Sequence, residues 1–140
     1  SGFDMDIMVY DPFLESVDVG RLVSLDEIIE NSDFISLHLP LTDDTHHLIN
    51  ADNIKKMKKN AVIINTARGG VIDETALYHA LKNKEIYGAG LDVFETEPPS
   101  DSPLVSLDNV VLGAHSAAST EGAVNNMGQM ASENVIKHFK

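Results

Sequence analysis

The stretch AVIINTARGGVID, residues 61–73, runs from four apolar residues into an arginine and two glycines, just before a residue able to cap a helix. The run Ala61, Val62, Ile63 and Ile64 lacks period-two alternation, the pattern of a strand buried on both faces of a parallel sheet. Ending such a strand does not call for a long, permanently charged side chain, so Arg68 has either a solvent role or a partner. Ligands of open parallel sheets bind beyond the carboxyl ends of the strands, and Arg68 lies at that end. Its planar fork can hold a carboxylate through two parallel hydrogen bonds, which suits a small organic acid. Gly69 and Gly70 let the backbone turn closely there. A solvated arginine on a glycine-rich turn is the alternative that this motif alone leaves open.

Working outward, similar apolar runs occupy residues 7–10, 34–39, 86–93 and 110–112, separated by segments of helical character. Alternating strands and helices give an α/β fold class. Residues 21–23 are a short candidate edge strand. Ser24 can cap a helix ending near Asn31, with Glu27 reaching back in a capping box. Asp73 can cap a second helix with Ala76, Leu77, Ala80 and Leu81 on one apolar stripe, and Ser119 or Thr120 can start a long third one. Val124, Met127, Ala131 and Val135 mark the expected buried face of that last helix. The proline-rich residues 97–103 read as a loop inside the domain, and no internal repeat or low-complexity tract is evident.

Composition narrows the function. The chain has 140 residues, 43% of them hydrophobic, enough for one domain with a real core. Its formal net charge of −12 opposes contact with a phosphate backbone, so nucleic acid is not an expected partner. The one basic cluster, Lys55, Lys56, Lys58 and Lys59, has no interleaved aromatics and reads as a solvated helix face. The absence of cysteine excludes a disulfide framework and a thiolate metal site, and no metal is expected. No apolar run approaches the roughly 20 residues that span a bilayer, and the first residues lack the features of a signal peptide. The expectation is a soluble, cytoplasmic domain without a membrane partner.

Two further strand ends bear on Arg68. The 86–93 run leads into FETEPP, with Glu95 and Glu97, and the 110–112 run leads into GAHSAAS, with His115. Arginine, carboxylate and imidazole can thus converge as an anion anchor beside a proton-relay pair, a neighbouring carboxylate favouring the charged imidazole. Singly, Glu97 reads as a solvated loop acid and His115 as a satisfied loop histidine; their shared location favours the joint reading. Asp11, ending the first strand in VYDP, can accept hydrogen bonds from the ribose hydroxyls of an adenosine and would repel a 2′-phosphate, preferring NAD to NADP. Its bland reading is a turn aspartate before Pro12.

The blocks VYDPF, SLHLPLTDDTHHLI, INTARGGVIDETAL, GAGLDVFETEPP and NVVLGAHSAAST resemble, almost end to end, the D-isomer-specific 2-hydroxyacid dehydrogenases, phosphoglycerate dehydrogenase-like members among them. The resemblance implies that Arg68 binds the substrate carboxylate and carbonyl, that His115 is the acid/base, and that Glu97 tunes it, with Glu95 the lesser candidate of the two acids. It implies that NAD contacts Asp11 at the ribose, His38 and Pro40 near the adenine, Thr66, Ala67 and Arg68 near the nicotinamide, and Asp92 at the carboxamide. Thr45 would line the same crevice, and His115 would face the cofactor. The implied reaction is hydride transfer between the nicotinamide and a small 2-oxo or 2-hydroxy acid.

The sequence departs from the family pattern at two places. Ala114 stands before His115 where the family usually has proline. No G-x-G-x-x-G is present, because Gly88-Ala89-Gly90 continues into Leu91-Asp92-Val93, so the pyrophosphate cradle is missing. In the family that loop follows the first, central strand of a Rossmann-like sheet, and the substrate domain is built from the two chain ends. Residues 1–140 are therefore expected to form a partial NAD-binding domain without a substrate domain, inactive alone. The sheet is expected either to close to a flavodoxin-like 2-1-3-4-5 order or to leave edges that drive self-association. Two readings compete with the dehydrogenase: a dinucleotide-sensing or interaction module without catalysis, and an unrelated receiver-like domain. Retention of Arg68, Glu97 and His115 together argues against the first, and the arginine in the TARGG turn against the second.

Overall fold

The computed structural model describes residues 3–139 and is a parallel α/β structure in two sheets. The smaller sheet pairs β1 (Met8–Val9) with β2 (Arg21–Leu22). The larger has four strands in sequential order: β3 (Phe34–Leu37), β4 (Val62–Asn65), β5 (Gly88–Leu91) and β6 (Val110–Leu112). Helices α1 (Leu25–Asn31), α2 (Ala51–Lys56) and α3 (Glu74–Lys82) occupy the connections, and α4 (Glu121–His138) follows β6. All pairings are parallel, so the carboxyl ends of β3 to β6 open on one edge of the sheet.

Local chemistry sets the helix starts. Ser24 Oγ accepts the Glu27 N–H at 3.2 Å, Asn50 Oδ1 accepts from Asp52 and Asn53, Asp73 Oδ1 accepts from Ala76, and Thr120 caps α4. The expected capping box at α1 is only half formed, because the Glu27 carboxylate turns away to pair with Arg21. The basic cluster is only in part a helix face: Lys55 and Lys56 lie on α2, Lys58 and Lys59 follow its end, and Lys56 pairs with Asp26 and Lys58 with Asp33.

The core is one cluster on one face of the larger sheet. Ile35, Leu37, Ile63, Ala89 and Leu91 from the strands meet Ile29 of α1, Ile54 of α2, and Leu77 and Leu81 of α3. The opposite face is more open than the apolar runs suggest: β3 alternates exposed and buried residues, and Phe34 keeps 58% of its surface. The expected buried stripe of α4 is not buried. None of its residues is, and Val124 and Met127 each stay 52% exposed. α4 thus adds no buried residue to the core.

The flavodoxin-like closure does not occur. β1 pairs with β2 alone, and β3 is the edge of the larger sheet rather than a neighbour of β1. Only Val23 and Ser24 join β2 to α1, whose Ile29 is completely buried in the core, so the small sheet is tethered where α1 places it.

Candidate active site

The turn after β4 is built around a buried polar side chain. Asn65, 1% exposed, donates from Nδ2 to the Arg68 carbonyl at 2.9 Å and accepts the Ala67 N–H on Oδ1 at 3.0 Å. Both halves of its amide are satisfied, so the side chain fixes the turn as a template would. Gly69 then passes so close to the next loop that an added Cβ would lie 1.9 Å from the Phe94 carbonyl carbon. The glycine serves close approach, which brings the Arg68 turn against residues 94–97.

Those residues follow β5 and carry the acid. Glu97 Oε1 accepts the Phe94 N–H at 3.1 Å, and Glu97 Oε2 lies 2.9 Å from His115 Nδ1. The hydrogen bond from His115, then that from Phe94, holds the Glu97 carboxyl below its ordinary value, with a smaller contribution from Arg68. His115 sits at φ 48°, a left-handed backbone uncommon outside glycine, and its N–H donates to Asp92 Oδ1 at 3.0 Å. Asp92 thus braces the histidine turn from the end of β5.

Two cavities meet at Arg68. The first, about 590 Å³, is lined by His38, Leu39, Pro40, Leu41, Thr66, Ala67 and Arg68. The second, about 450 Å³, is bordered by Arg68, Glu97 and His115 together with Leu41, His46 and Phe94. Arginine, carboxylate and imidazole therefore converge. His38, Pro40, Thr66 and Ala67 share the adjoining cavity, with His38 Nε2 2.8 Å from Ser36 Oγ. Thr45 does not line it: its hydroxyl donates to the Pro40 carbonyl at 2.7 Å and accepts the Thr42 N–H, shaping the loop. Asp11 lies just past β1, where Oδ1 caps its own turn by accepting the Phe13 N–H at 2.9 Å.

Sequence reasoning missed four contributors. Asn65 was signalled by a polar residue closing an apolar run. His46 and His47 stand in the THHLI block; their rings stack with centroids 3.9 Å apart, and His47 pairs with Glu95. Glu74 holds the other side of Glu95, its carboxyl pushed up mainly by burial. Among the described residues no group of three or more histidine and carboxylate side chains could hold a metal, and no helix is long and apolar enough to cross a membrane.

The first cavity is of a size that takes a small-molecule moiety (sites run ~300–1,000 Å³), and its histidine, hydroxyl and guanidinium groups suit the polar edges of a dinucleotide. The glycine cradle for its pyrophosphate is not in the 140 residues. Fold and site together define a Rossmann-like nucleotide-binding structure whose crevice lies at the carboxyl ends of parallel strands.

Residues 1–117 match the family model described as D-isomer specific 2-hydroxyacid dehydrogenase, NAD binding domain. The chain belongs to that family and carries its NAD-binding fold, with NAD the cofactor. It is 49% identical over 140 residues to a D-3-phosphoglycerate dehydrogenase of Methanocaldococcus jannaschii, covering 96% of this chain and 27% of that protein. It is 49% identical over 141 residues to a hydroxypyruvate reductase of Thermotoga maritima, covering 98% of this chain and 46% of that protein. The solved structure of a D-lactate dehydrogenase from Aquifex aeolicus, complexed with NAD and lactic acid, superposes with TM-score 0.86 at 35% identity, over 99% of this chain and 47% of that one. The chain thus spans less than half the length of these relatives.

Proposed function

We propose that this chain is the nucleotide-binding part of an oxidoreductase that interconverts a D-2-hydroxy acid and its 2-oxo acid with NAD. The observation that carries the reading is the His115 Nδ1 to Glu97 Oε2 pairing at 2.9 Å, in the cavity that Arg68 also lines. A sensing module has no need of a proton relay.

Arg68 would hold the substrate carboxylate with its guanidinium, which is aimed by the Asn65-built turn and by its own bond from Nη1 to the Ala67 carbonyl at 2.7 Å. Glu97 engages Nδ1 of His115 and so sets the tautomer, leaving Nε2 to exchange the proton with the substrate oxygen. In reduction His115 gives that proton to the carbonyl oxygen as it becomes a hydroxyl; in oxidation it takes the proton back. When bound, the nicotinamide supplies or accepts the hydride. His38, Pro40, Thr66 and Ala67 would line the cofactor crevice, with Asp11 at the ribose, Asp92 near the carboxamide and His115 at the junction.

The same reading makes residues 1–140 a partial NAD-binding domain that does not turn over by itself, its substrate domain belonging to a longer protein. Self-association through the unpaired edges of β1 and β3 is part of it, because unpaired strand edges template further pairing.

The test assays the complete protein carrying this chain for NADH-dependent reduction of glyoxylate, hydroxypyruvate, phosphohydroxypyruvate and pyruvate. Turnover of at least one, lost in His115→Asn and weakened in Arg68→Lys chiefly through the KM of the oxo acid, is the expected result. NADH binding without turnover of any 2-oxo acid would favour the sensing module instead.

A further inference from the structure

The loop after β5 carries two acids two residues apart, and each takes an imidazole. Glu97 meets His115 Nδ1 and Glu95 meets His47 Nε2, both at 2.9 Å. Both histidines have left-handed backbones, φ 48° at His115 and φ 51° at His47. Residues other than glycine seldom keep that conformation unless the surroundings over-determine it, and such positions cluster at functional sites. The second pair lies 48 residues apart in sequence and is absent from the proposed proton relay.

His47 joins the two segments on which the site depends. Its N–H donates to the Gly70 carbonyl at 2.8 Å, and the following residues continue the attachment through Ile49 to Val71 and Asp73 to Ile49. That ties its backbone to the turn bearing Arg68, while its side chain reaches the loop bearing Glu97. Glu95 is gripped from the far side as well: its Oε1 accepts the Glu74 N–H at 3.2 Å, and its own N–H donates to Glu74 Oε1 at 2.6 Å. Three carboxylates, Glu74, Glu95 and Glu97, are close enough for both others to oppose ionisation of Glu74. Like charges on neighbouring segments disfavour one another, so each carboxylate there gains from a hydrogen-bond partner of its own. The His47 imidazole gives Glu95 Oε1 a hydrogen-bond partner, and His46 stacks on its ring while lining the Arg68–His115 cavity.

We propose that His47 is a positioning residue of this site: paired with Glu95, it holds the 94–97 loop against the Arg68 turn so that Glu97 meets His115. The kinetic consequence rests on the reading of His115 as acid/base; the geometric consequence does not.

The experiment compares His47→Gly, His47→Gln and Glu95→Ala in the complete protein. Glycine keeps the left-handed backbone accessible and removes the imidazole, both its hydrogen bond to Glu95 and its stacking on His46, and glutamine can return an N–H to Glu95. In His47→Gly, kcat for 2-oxo acid reduction should fall on the order of tenfold, as small misplacements of a catalytic group do. The KM for NADH should stay within about twofold of the parent, because the change falls on the chemical step, and His47→Gln should regain most of kcat. A second readout needs no turnover: the nitrogen-15 shift of His115 Nδ1, which reports its hydrogen bond to Glu97, should lose that signature in His47→Gly and keep it in His47→Gln. An unchanged Nδ1 signature in His47→Gly overturns the proposal, as does equal impairment of the glycine and glutamine variants. If the parent protein reduces no 2-oxo acid, the reading of the site fails while the Nδ1 comparison still decides the role of His47. Should His47→Gly not fold, Glu95→Ala, which removes the acceptor from the other side of the pair, replaces it, with a weakened Nδ1 signature expected and an unchanged one fatal to the proposal.

Discussion

Asp92 accepts the backbone N–H of His115 at 3.0 Å, and the same Oδ1 would lie 2.0 Å from a Cβ placed on Gly113. The carboxylate is wedged between the end of β5 and the histidine turn. Asp92→Ala removes the wedge and Gly113→Ala displaces it, so both should loosen the pairing of His115 with Glu97. Because the His115 hydrogen bond is the largest cause of the depressed Glu97 carboxyl, that carboxyl should move back up toward its ordinary value in both variants. A carbon-13 NMR titration of Glu97 checks this, and identical curves in parent and variants would count against the wedge.

The Glu97 pairing should also appear in the pH dependence of stability. A carboxyl whose value is lower folded than unfolded contributes stability above its unfolded value, ~4.3, and loses it as pH falls through the folded value. Glu97→Gln should therefore be less stable than the parent at pH 6, with the difference closing as the solution is acidified below about pH 4. Urea midpoints across that range measure it; a gap that persisted at low pH would mean the loss came from packing.

Glu74 carries the opposite sign. Burial, followed by repulsion from Glu95, raises its carboxyl above the ordinary value, so ionisation costs the folded state stability as pH rises through the unfolded value. Glu74→Gln keeps an acceptor for the Glu95 N–H without the charge. The variant should match or exceed the parent near pH 7 and lose that advantage in acid. Lower stability at pH 7 would show that the charge itself is needed there.

Two glycines give a steric contrast. At Gly69 an added Cβ would meet the Phe94 carbonyl carbon at 1.9 Å and the Glu95 nitrogen at 2.3 Å, both backbone atoms with no room to retreat. At Gly90 the nearest atom is Ile64 Cγ1 at 3.9 Å, an ordinary contact. Gly69→Ala should cost at least ~1–3 kcal/mol, whereas Gly90→Ala should be neutral or stabilise by up to about 1 kcal/mol. Chemical denaturation of the pair distinguishes the two environments.

The parts legible in the sequence are those governed by local chemistry. Caps such as Ser24, Asp73 and Thr120 act within three residues, and a parallel sheet puts the ends of successive strands on one edge, so Arg68, Glu97 and His115 could be brought together on paper. Whether the β1–β2 pair would close onto β3 or stand apart was left open by the sequence, because the position of β2 depends on where α1 seats Ile29 in the core. The His47–Glu95 pair was hidden for a related reason: neither residue belongs to an apolar pattern, and their meeting depends on the Gly69 turn touching the backbone of Phe94. The stripe on α4 was read correctly as apolar and wrongly as covered. Periodicity describes a helix face and says nothing of what lies opposite.

The bare helix α4 gives the chain two timescales of opening. Amides in β4 and β5 are released to solvent only when the core around Ile63 and Leu91 comes apart. Those of an 18-residue helix with no buried side chain answer to its own helix–coil equilibrium, which lacks the tertiary packing that supplies most helical stability. Hydrogen exchange on the 140-residue chain should therefore show residues 121–138 deuterated well before the sheet, and a heating curve read by circular dichroism should begin with a shallow, uncooperative slope that belongs to this helix alone.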